Sequence, residues 1–287
     1  MNKKRSFFVL LVLIFLGLAI FWRLKPLIDI TKVGFFETPT VTPIVQEPIL
    51  KFSVIGDPES DLTNLKKALE LAKNLGSEFV VLVGDLTKTG EEKQFKELKE
   101  VLEKSGLKYY VVPGNHDLYV AKKKSLNPLV YFQNYFGKPY QQLLIEKGNL
   151  KFNFLFIDNS DEDQGIEETQ MNFIKQNLAL NSSPSGSVAT TLVFLHIPVW
   201  HPTSEYIMGY RSKEVSKQKD ELLNIFKEAS VSAAFFGHLH KTSSYEWEGI
   251  KMYVAGSVNS FRNWQTPRFL KVEILGKGNY KTQEIEL

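Results

Sequence analysis

Between residues 50 and 112 the chain alternates mostly apolar runs with amphipathic stretches. The runs Leu50–Ile55, Phe79–Val83 and 107–112 predict buried strands, because a strand covered on both faces carries few polar side chains. Between them, apolar residues at every third or fourth position predict helices over about 62–75 and 91–105. This order of elements predicts an α/β fold with right-handed crossovers and a largely parallel sheet.

The pattern becomes irregular after residue 117. Residues 119–140 are basic and aromatic and predict a long insertion with one short helix near 128–136. Residues 143–147 and 150–158 flank Gly148-Asn149 and predict a hairpin, which implies a second sheet with antiparallel pairing. The remaining pattern predicts helices over 169–180 and 213–229, and strands over 189–195, 231–236, 242–247, 251–254, 269–274 and 280–285.

The N-terminus begins with basic residues and continues as an unbroken apolar run over 7–22. We interpret it as a single transmembrane helix with its basic end inside, although the run is slightly short of the roughly 20 residues that span a bilayer. A cleaved signal peptide with Gly17-Leu18-Ala19 as its cleavage site is the alternative. The anchor is favoured because the apolar run continues past that point. Either interpretation predicts an extracytoplasmic protein, membrane-anchored or secreted.

The predicted organisation has three parts. Residues 1–24 form the membrane anchor, and residues 25–48, with four prolines and no helical or alternating period, form an extended linker. Residues 49–287 form the folded domain. The 43% apolar content is ample for its core.

Composition narrows the chemistry. The chain has no cysteine, which excludes disulfides, thiolate metal sites and cysteine nucleophiles. The net charge of +3 is misleading, because five basic residues precede residue 26 without any acidic residue, which leaves −2 for the remainder. Nothing in this balance indicates a nucleic-acid surface, so no nucleic-acid partner is expected.

Polar side chains with metal-binding chemistry follow one predicted strand after another. In a parallel sheet the carboxyl ends of the strands share an edge, and ligands bind there. Any one of these residues could be an ordinary turn residue. Structural need does not explain the whole set: Asp57, Asp85, Asn115, His116, His196, His238 and His240.

The same positions carry a resemblance to a known family. Asp57, Gly84-Asp85, Gly114-Asn115-His116-Asp117, His196 and Gly237-His238-Leu239-His240 resemble the five ordered blocks of the calcineurin-like metallophosphoesterases. The resemblance runs from residue 49 to the C-terminus. It implies a four-layer α/β/β/α sandwich of two mixed sheets with a dinuclear metal centre at the strand ends. It also implies metal-dependent hydrolysis of a phosphate monoester, diester or pyrophosphate.

The resemblance assigns roles to these residues. Asp57 and His240 would bind the first metal, and Asp85 would bridge both. The second metal would be bound by Asn115, His196 and His238. A bridging hydroxide would be the nucleophile, His116 would protonate the leaving oxygen, and Asp117 would orient His116. Carboxylates, imidazoles and an amide oxygen suit two divalent or trivalent ions such as Mn, Fe, Zn or Co.

The first block departs from the family pattern. Most relatives have Asp-x-His there, whereas this chain has Asp57-Pro58-Glu59. Glu59 can replace the imidazole as an oxygen ligand, which would favour Mn or Fe. Alternatively, it binds only a metal-bound water, or the first site is weakened or lost.

Other residues and functions stay open at this point. His201 could reach a substrate phosphate or lie on an exposed loop, and Asp158 is expected to satisfy loop amides.

The expected substrate is a phosphorylated small molecule or a lipid or envelope component. One rival function is a non-catalytic binding or envelope module with a degraded first metal site, and another is a different metal-dependent hydrolase. The aromatic and basic residues of 119–140, with Tyr206, Tyr210, Arg211, Arg262 and Trp264, could form a pocket for an organic group, and Ser257 and Asn259 lie on a late loop that could face the site.

Overall fold

A computed structural model describes residues 47–179 and 188–287, together with Ala19 and Arg23. The chain divides into two units, Met1–Val45 and Gln46–Leu287, and the fold described here belongs to the second. The predicted anchor and nearly all of the predicted linker lie outside the described residues and stay predictions. Within the described part of the chain, no helix is both long and apolar enough to span a bilayer.

The first sheet has five strands in the order β11-β10-β1-β2-β3. Strands β1 (Leu50–Ile55), β2 (Phe79–Val83) and β3 (Lys108–Val112) are parallel, as the alternation of strands and helices predicted. Strands β10 (Arg268–Gly276) and β11 (Asn279–Glu286) add an antiparallel edge on the β1 side. The three parallel strands therefore end at the same edge of this sheet.

The second sheet has six strands in the order β4-β5-β6-β7-β9-β8. Its four central strands are parallel, and an antiparallel strand closes each edge. The predicted hairpin is the β4–β5 pair. The strands are β4 (Gln141–Lys147), β5 (Leu150–Phe156), β6 (Val188–Phe194), β7 (Ala233–Phe236), β8 (Ser243–Trp247) and β9 (Ile250–Val254).

Helices connect the strands and have recognisable ends. The side chain of Asp61 accepts the Asn64 N–H at the start of the first helix, and Gly106, in the left-handed conformation, ends the second. Asn115–Leu118 form a single 3₁₀ turn where a loop was expected. The helices are α1 (Leu62–Asn74), α2 (Glu92–Ser105), α3 (Tyr119–Lys123), α4 (Val130–Phe136), α5 (Glu168–Ala179) and α6 (Lys213–Glu228).

Three apolar clusters define the packing. One lies between the sheets, where Phe154, Phe194, Phe235 and Tyr253 stack in a row across four neighbouring strands of the second sheet at centroid distances of 5.9, 5.2 and 5.2 Å. The second joins the outer face of the first sheet to α1, α2 and α4. The third joins the outer face of the second sheet to α5 and α6. Both sheets are thus covered on both faces, which explains their nearly continuous apolar strands.

Candidate metal centre

The strand ends of both sheets meet at one place. The loops after β1, β2 and β3 carry Asp57, Asp85 and Asn115. The loops after β6 and β7 carry His196, and His238 with His240. The approach is close: a Cβ atom at Gly84 would overlap the ring of His196, and one at Gly237 would lie 2.8 Å from Asp57 Oδ2.

Several of these residues have positive backbone φ angles, which residues other than glycine rarely adopt. Asp57, Asp85, His238 and His240 have φ values of 48, 46, 69 and 52°. Glu59, at 40°, belongs to the same set. Such strained residues persist only where the surrounding structure determines them, and they concentrate at functional sites. The strain is therefore an independent sign that this edge is built to present side chains.

Donor atoms converge in three groups in which every pair of atoms lies within 4.8 Å. Asp85 belongs to all three groups. A carboxylate common to two adjoining ligand sets has the geometry expected of a bridge between two cations. The groups are Asp57 with Asp85 and His240, Asp85 with His196 and His238, and Glu59 with Asp85 and His116.

Backbone carbonyls orient two of the imidazoles. His196 Nδ1 lies 2.9 Å from the Val83 carbonyl, which can only accept, so Nδ1 carries the proton. His240 Nδ1 faces the Arg262 carbonyl in the same way. The Nε2 atoms then face the cluster without a proton when the rings are neutral. This arrangement is typical of metal-binding histidines, whose second nitrogen donates to a carbonyl or carboxylate.

The Asn115 amide is oriented as well. Its Oδ1 lies 3.0 Å from His196 Nε2 and 3.2 Å from His238 Nδ1, while its Nδ2 donates to the Tyr119 hydroxyl at 2.9 Å. The amide oxygen therefore points at the same position as the two imidazole nitrogens. These three atoms and the shared carboxylate match the second ligand set implied by the resemblance.

Asp57 shows most directly that the site suits a cation. Its Oδ1 accepts the His238 N–H at 2.8 Å, but its Oδ2 is buried and has no hydrogen-bond partner among the described residues. A buried carboxylate oxygen without a partner is costly unless a cation neutralises it. Ser257 Oγ and Asn259 Nδ2 hold this residue in place, donating to its carbonyl at 2.9 and 3.1 Å. These two residues thus act on the site by supporting a candidate ligand.

Burial and the charges of neighbouring residues shift the pKa values of the buried carboxylates and imidazoles in this cluster. Burial raises the pKa of Asp57 well above its usual value, with His196 opposing and Asp85 reinforcing the shift. Burial alone would lower the pKa of His196, but the neighbouring Asp85 and Asp57 raise it to about 10. Burial and the nearby His196 lower the pKa of His238 to about 3. A cation bound here would take over the positive charge on His196, and metal binding to protonated ligands releases protons.

His116 lies beside this cluster and faces the cleft. Its Nδ1 lies 2.9 Å from the Lys88 carbonyl, so its Nε2 is the atom available to a substrate. That Nε2 lies 2.8 Å from Arg262 Nη1 and 3.9 Å from Asp85 Oδ2. Glu59 Oε1 lies 3.3 Å from Arg262 Nη1 and 3.3 Å from His240 Nε2. Glu59 therefore lies at the first ligand set and also pairs with Arg262.

The contacts of Asp117 differ from the expected role. Its carboxylate accepts from the backbone N–H groups of Leu86, Thr87 and Gly114 and from the Thr87 hydroxyl at 2.6 to 3.1 Å. The contact that orients the His116 ring comes instead from the Lys88 carbonyl. Asp117 acts one step further away, by fixing the loop that carries this carbonyl. Burial raises its pKa to about 6, with a further increase from Asp85.

Three more polar residues are now placed. The His201 ring accepts the Ser204 N–H at 2.8 Å and so holds its own loop. Asp158 accepts from the Ser160 N–H and hydroxyl at 2.9 and 2.5 Å, which confirms its expected role with loop amides. Asn159, which the sequence did not single out, accepts the His196 N–H at 3.1 Å. Its position directly after a strand was the only available signal.

Comparison with known proteins agrees with this architecture. The sequence model of the calcineurin-like phosphoesterases matches residues 50–242. The chain belongs to this family. The match covers β1 to β7 and every candidate metal ligand. It ends before β8 to β11 and before the supporting loop that carries Ser257, Asn259 and Arg262.

Similar proteins differ in what they are named for. A probable glycerophosphodiester phosphodiesterase of Arcobacter nitrofigilis is 25% identical over 63% of this chain and 63% of its own length. A serine/threonine-protein phosphatase of Danio rerio is 28% identical over 70% of this chain and 66% of its own length. Purple acid phosphatase from yellow lupin seeds aligns with a TM-score of 0.59 at 16% identity, covering 83% of this chain and 51% of that one. The last likeness concerns the fold alone.

Proposed function

We propose that this protein is a metal-dependent phosphoesterase that hydrolyses a phosphate monoester, diester or pyrophosphate at a dinuclear centre. The observation that carries the proposal is the Asp85 carboxylate shared by two adjoining ligand sets, beside the unpartnered Oδ2 of Asp57. Family membership and the phosphatase and phosphodiesterase names of the relatives support the same reaction class.

The residues present fit two cations. Asp57, Asp85 and His240 would hold the first, with Glu59 as a possible fourth ligand. Asn115, His196 and His238, with Asp85 shared, would hold the second. Two ions held in this way would neutralise charge on the phosphoryl group and activate a water for attack at phosphorus.

The protein itself would supply the proton and the positive charge near the leaving group. His116 would act as the acid in its doubly protonated form, in which Nδ1 donates to the Lys88 carbonyl and Nε2 passes its proton to the leaving oxygen. In the structure Nε2 accepts from Arg262 Nη1, so this arginine would have to turn away before Nε2 carries a proton. Arg262 Nη1, 2.8 Å from the same Nε2, could turn to donate to a phosphoryl oxygen. Such a contact would stabilise negative charge beside the acid.

The test combines metal analysis with hydrolysis of p-nitrophenyl phosphate and its bis-ester by the full chain. We expect two metal ions per chain and turnover of at least one ester. The His238→Ala variant should lose the second metal ion and turnover together, while Asp57, Asp85 and His240 still hold the first ion. The His116→Ala variant should keep its metal and lose about 10²- to 10⁴-fold in turnover, because only the proton donor is removed.

Two further variants sharpen the result. His201→Ala removes a histidine whose ring holds its own loop, and it should keep both metal and turnover. Glu59→Gln should lower the metal content if Glu59 is a ligand and leave it unchanged if Glu59 only pairs with Arg262. Bound metal without turnover of either ester would contradict the proposal and favour a non-catalytic binding module.

The location of the enzyme is a separate proposal, supported by sequence pattern alone. We propose that residues 1–24 anchor the protein in a membrane with the domain outside the cytoplasm, with a secreted form as the alternative. The substrate would then be a phosphorylated small molecule or a lipid or envelope component reached from that side.

A further inference from the structure

A cleft of about 560 Å³ opens over the candidate metal centre. Asp85, His116 and His238 lie at its floor, and aromatic side chains, among them Tyr206 and Trp264, surround its mouth. The volume is within the range of about 300 to 1,000 Å³ that is typical of small-molecule sites. The floor explains how a phosphoryl group would be held, whereas the aromatic mouth has no part in the reaction proposed above.

The rings on one side of the mouth are unusually exposed. Phe261 is 85% and Trp264 is 81% exposed. Large aromatic rings concentrated at one exposed place generally mark a binding surface, because water solvates them poorly. These two rings are therefore candidates for contact with a ligand.

Hydrogen bonds hold the loop that carries these rings. Asn259 Oδ1 accepts the N–H groups of Phe261 and Arg262 at 3.0 and 2.9 Å. Asn263 Nδ2 donates to the carbonyls of Ser257 and Asn259 at 2.7 and 3.0 Å. A loop fixed in this way presents its side chains at little further entropic cost when a ligand binds.

Another part of the cleft lining combines rings with hydrogen-bonding groups. Tyr210 donates its hydroxyl to Glu162 at 2.9 Å, and Arg211 pairs with the other oxygen of Glu162 at 3.2 Å. The Arg211 guanidinium lies over the Tyr210 ring at 5.1 Å, and Tyr206 contacts the same ring edge-on at 5.7 Å. Exposed ring faces beside a guanidinium suit a planar heteroaromatic ring, because such a ring can stack on the aromatic faces and its polar edge can hydrogen-bond with the neighbouring charged groups. An alkyl chain can make neither contact.

Arg262 connects the two parts of the cleft. It is adjacent in sequence to Phe261 at the mouth, and its guanidinium contacts His116 at the floor. A ligand whose phosphoryl group reached Arg262 and His116 would thus extend its remaining part toward the aromatic side chains. The cleft therefore places groups that can bind a phosphoryl group at its floor and aromatic side chains at its mouth, as a phosphate ester with a planar aromatic substituent requires.

We propose that the substrate is a nucleotide, that is, a phosphate ester carrying a heteroaromatic base, and that Tyr206, Phe261 and Trp264 stack with this base. The proposal rests on the proposed phosphoesterase function and specifies its substrate class. Stacking of a base on aromatic side chains is tolerant of base identity, so the site would select for the presence of a base more strongly than for its kind.

The test compares esters that differ only in the base. Adenosine 5′-monophosphate and ribose 5-phosphate form a monoester pair. The p-nitrophenyl esters of thymidine 5′-phosphate and of 1,2-dideoxyribose 5-phosphate, which keeps the sugar and lacks the base, form a diester pair. For the pair that the metal-loaded full chain hydrolyses, we expect kcat/KM to be about ten-fold or more higher for the member with the base.

Variants locate the preference. Trp264→Ala and Tyr206→Ala should each lower the ratio of kcat/KM within the pair several-fold, whereas general damage to the centre would lower both rates and leave the ratio unchanged. Leu144→Ala removes an exposed apolar side chain on β4, away from the cleft lining, and should preserve the ratio. Adenosine should quench the tryptophan fluorescence of the wild type, and this quenching should be lost in Trp264→Phe.

Three outcomes would overturn the inference. Equal kcat/KM for both members of a hydrolysed pair would reject base recognition and leave the phosphoesterase function intact. Turnover confined to phosphate esters in phospholipid vesicles, with a shift of Trp264 fluorescence on binding vesicles, would assign the aromatic mouth to a membrane surface. Absence of turnover on all four esters, on p-nitrophenyl phosphate and on its bis-ester would remove the proposed function and this inference together.

Discussion

Tyr119 contacts two of the residues on which the candidate site depends. Its hydroxyl accepts from Asn115 Nδ2 at 2.9 Å, and its ring lies against the His116 ring with centroids 4.6 Å apart. Burial raises the pKa of Tyr119 to about 12, so the phenol stays protonated at neutral pH. One side chain thus keeps the Asn115 amide oxygen directed at the second ligand set and supports the neighbouring imidazole.

We predict that Tyr119→Phe weakens metal binding without unfolding the protein. The ring contact with His116 remains, but the Asn115 amide loses the acceptor that sets its orientation. Loss of a partner that orients a ligand typically costs 10- to 100-fold in metal affinity. Competition titration of the metal against a chelator measures this effect.

Tyr210→Phe provides the matched control. It removes a hydroxyl from the same cleft, but that hydroxyl donates to Glu162 and contacts no candidate ligand. Its metal affinity should equal that of the wild type. Equal affinity in Tyr119→Phe would show that the amide of Asn115 is held by other contacts.

At the scale of residues, the structure brings together the candidate ligands that the sequence predicted where a strand end and a family motif coincide, and their binding of metal stays a prediction. Every candidate ligand, including Asp57 and His240, lies in the cluster. The partners of these ligands were harder to find, because Arg262 meets His116 across 146 residues of chain and Ser257 meets Asp57 across 200. No local pattern encodes such contacts, which depend on how the late loop folds back over the first sheet.

At the scale of elements, the turns after the strands decide how closely the ligands approach. Gly84 has a φ of 83° and lies against the ring of His196, and Gly114 lies against the backbone of Asp85. Each of these turns needs a residue without a side chain, because the neighbouring ligand occupies that space. The glycines before the ligands therefore contribute to the geometry of the site as well as to the turns.

We predict that Gly84→Ala destabilises the domain more than a glycine substitution at an open turn does. Gly249, in the turn between β8 and β9, has a φ of 84°, and a Cβ there would meet no atom within 4 Å. Gly249→Ala should cost about 1 kcal/mol for the backbone conformation alone. Gly84→Ala should cost about 1 to 3 kcal/mol more, because its methyl group must displace His196.

Urea unfolding of both variants in the presence of a chelator measures the difference without a contribution from metal. Gly84→Ala should also bind metal more weakly than Gly249→Ala, since His196 has moved. Equal losses of unfolding free energy would mean that His196 adjusts without cost, and the close approach would not constrain this turn.

The elements that the sequence predicted are those with a strong period. The strands Leu50–Ile55 and Phe79–Val83 have the predicted bounds, because each is a mostly apolar run that ends directly before a Gly-Asp pair. The weaker segments differ. β7 begins at Ala233 and not at 231, and the short helix α3 (Tyr119–Lys123) was not predicted, since a basic stretch of five residues carries no apolar period. α3 is stabilised instead by its position directly after the 3₁₀ turn that carries His116.

On the scale of the whole molecule, the candidate centre is the place where the two sheets share a single cluster of polar side chains. The first sheet contributes Asp57, Asp85 and Asn115, and the second contributes His196, His238 and His240. Beneath this edge, the phenylalanine-rich cluster joins the two sheets through apolar contacts. Cations held at the edge would therefore link the two sheets directly.

We predict that metal removal lowers the thermal stability of the entire domain. A ligand that binds only the folded state stabilises it by about 3 to 4 kcal/mol when its concentration is 100 to 1,000 times its Kd. For a domain of this size, that corresponds to a decrease of roughly 5 to 15 °C in Tm on chelation. Differential scanning calorimetry with added Mn²⁺ and with EDTA measures the shift.

The variants separate metal binding from other effects of the chelator. His238→Ala removes a candidate ligand of the second metal but leaves the first set, Asp57, Asp85 and His240. Its shift in Tm between Mn²⁺ and EDTA should therefore be smaller than that of the wild type, whereas Leu144→Ala should keep the full shift. The apolar cluster joins the two sheets whether or not metal is bound. The metal-free wild type should therefore still unfold in one transition. A wild-type Tm that is the same with Mn²⁺ and with EDTA would show that no cation links the sheets. The buried Oδ2 of Asp57, which has no hydrogen-bond partner among the described residues, would then have to be neutralised by a proton. Burial already raises the pKa of Asp57 in that direction.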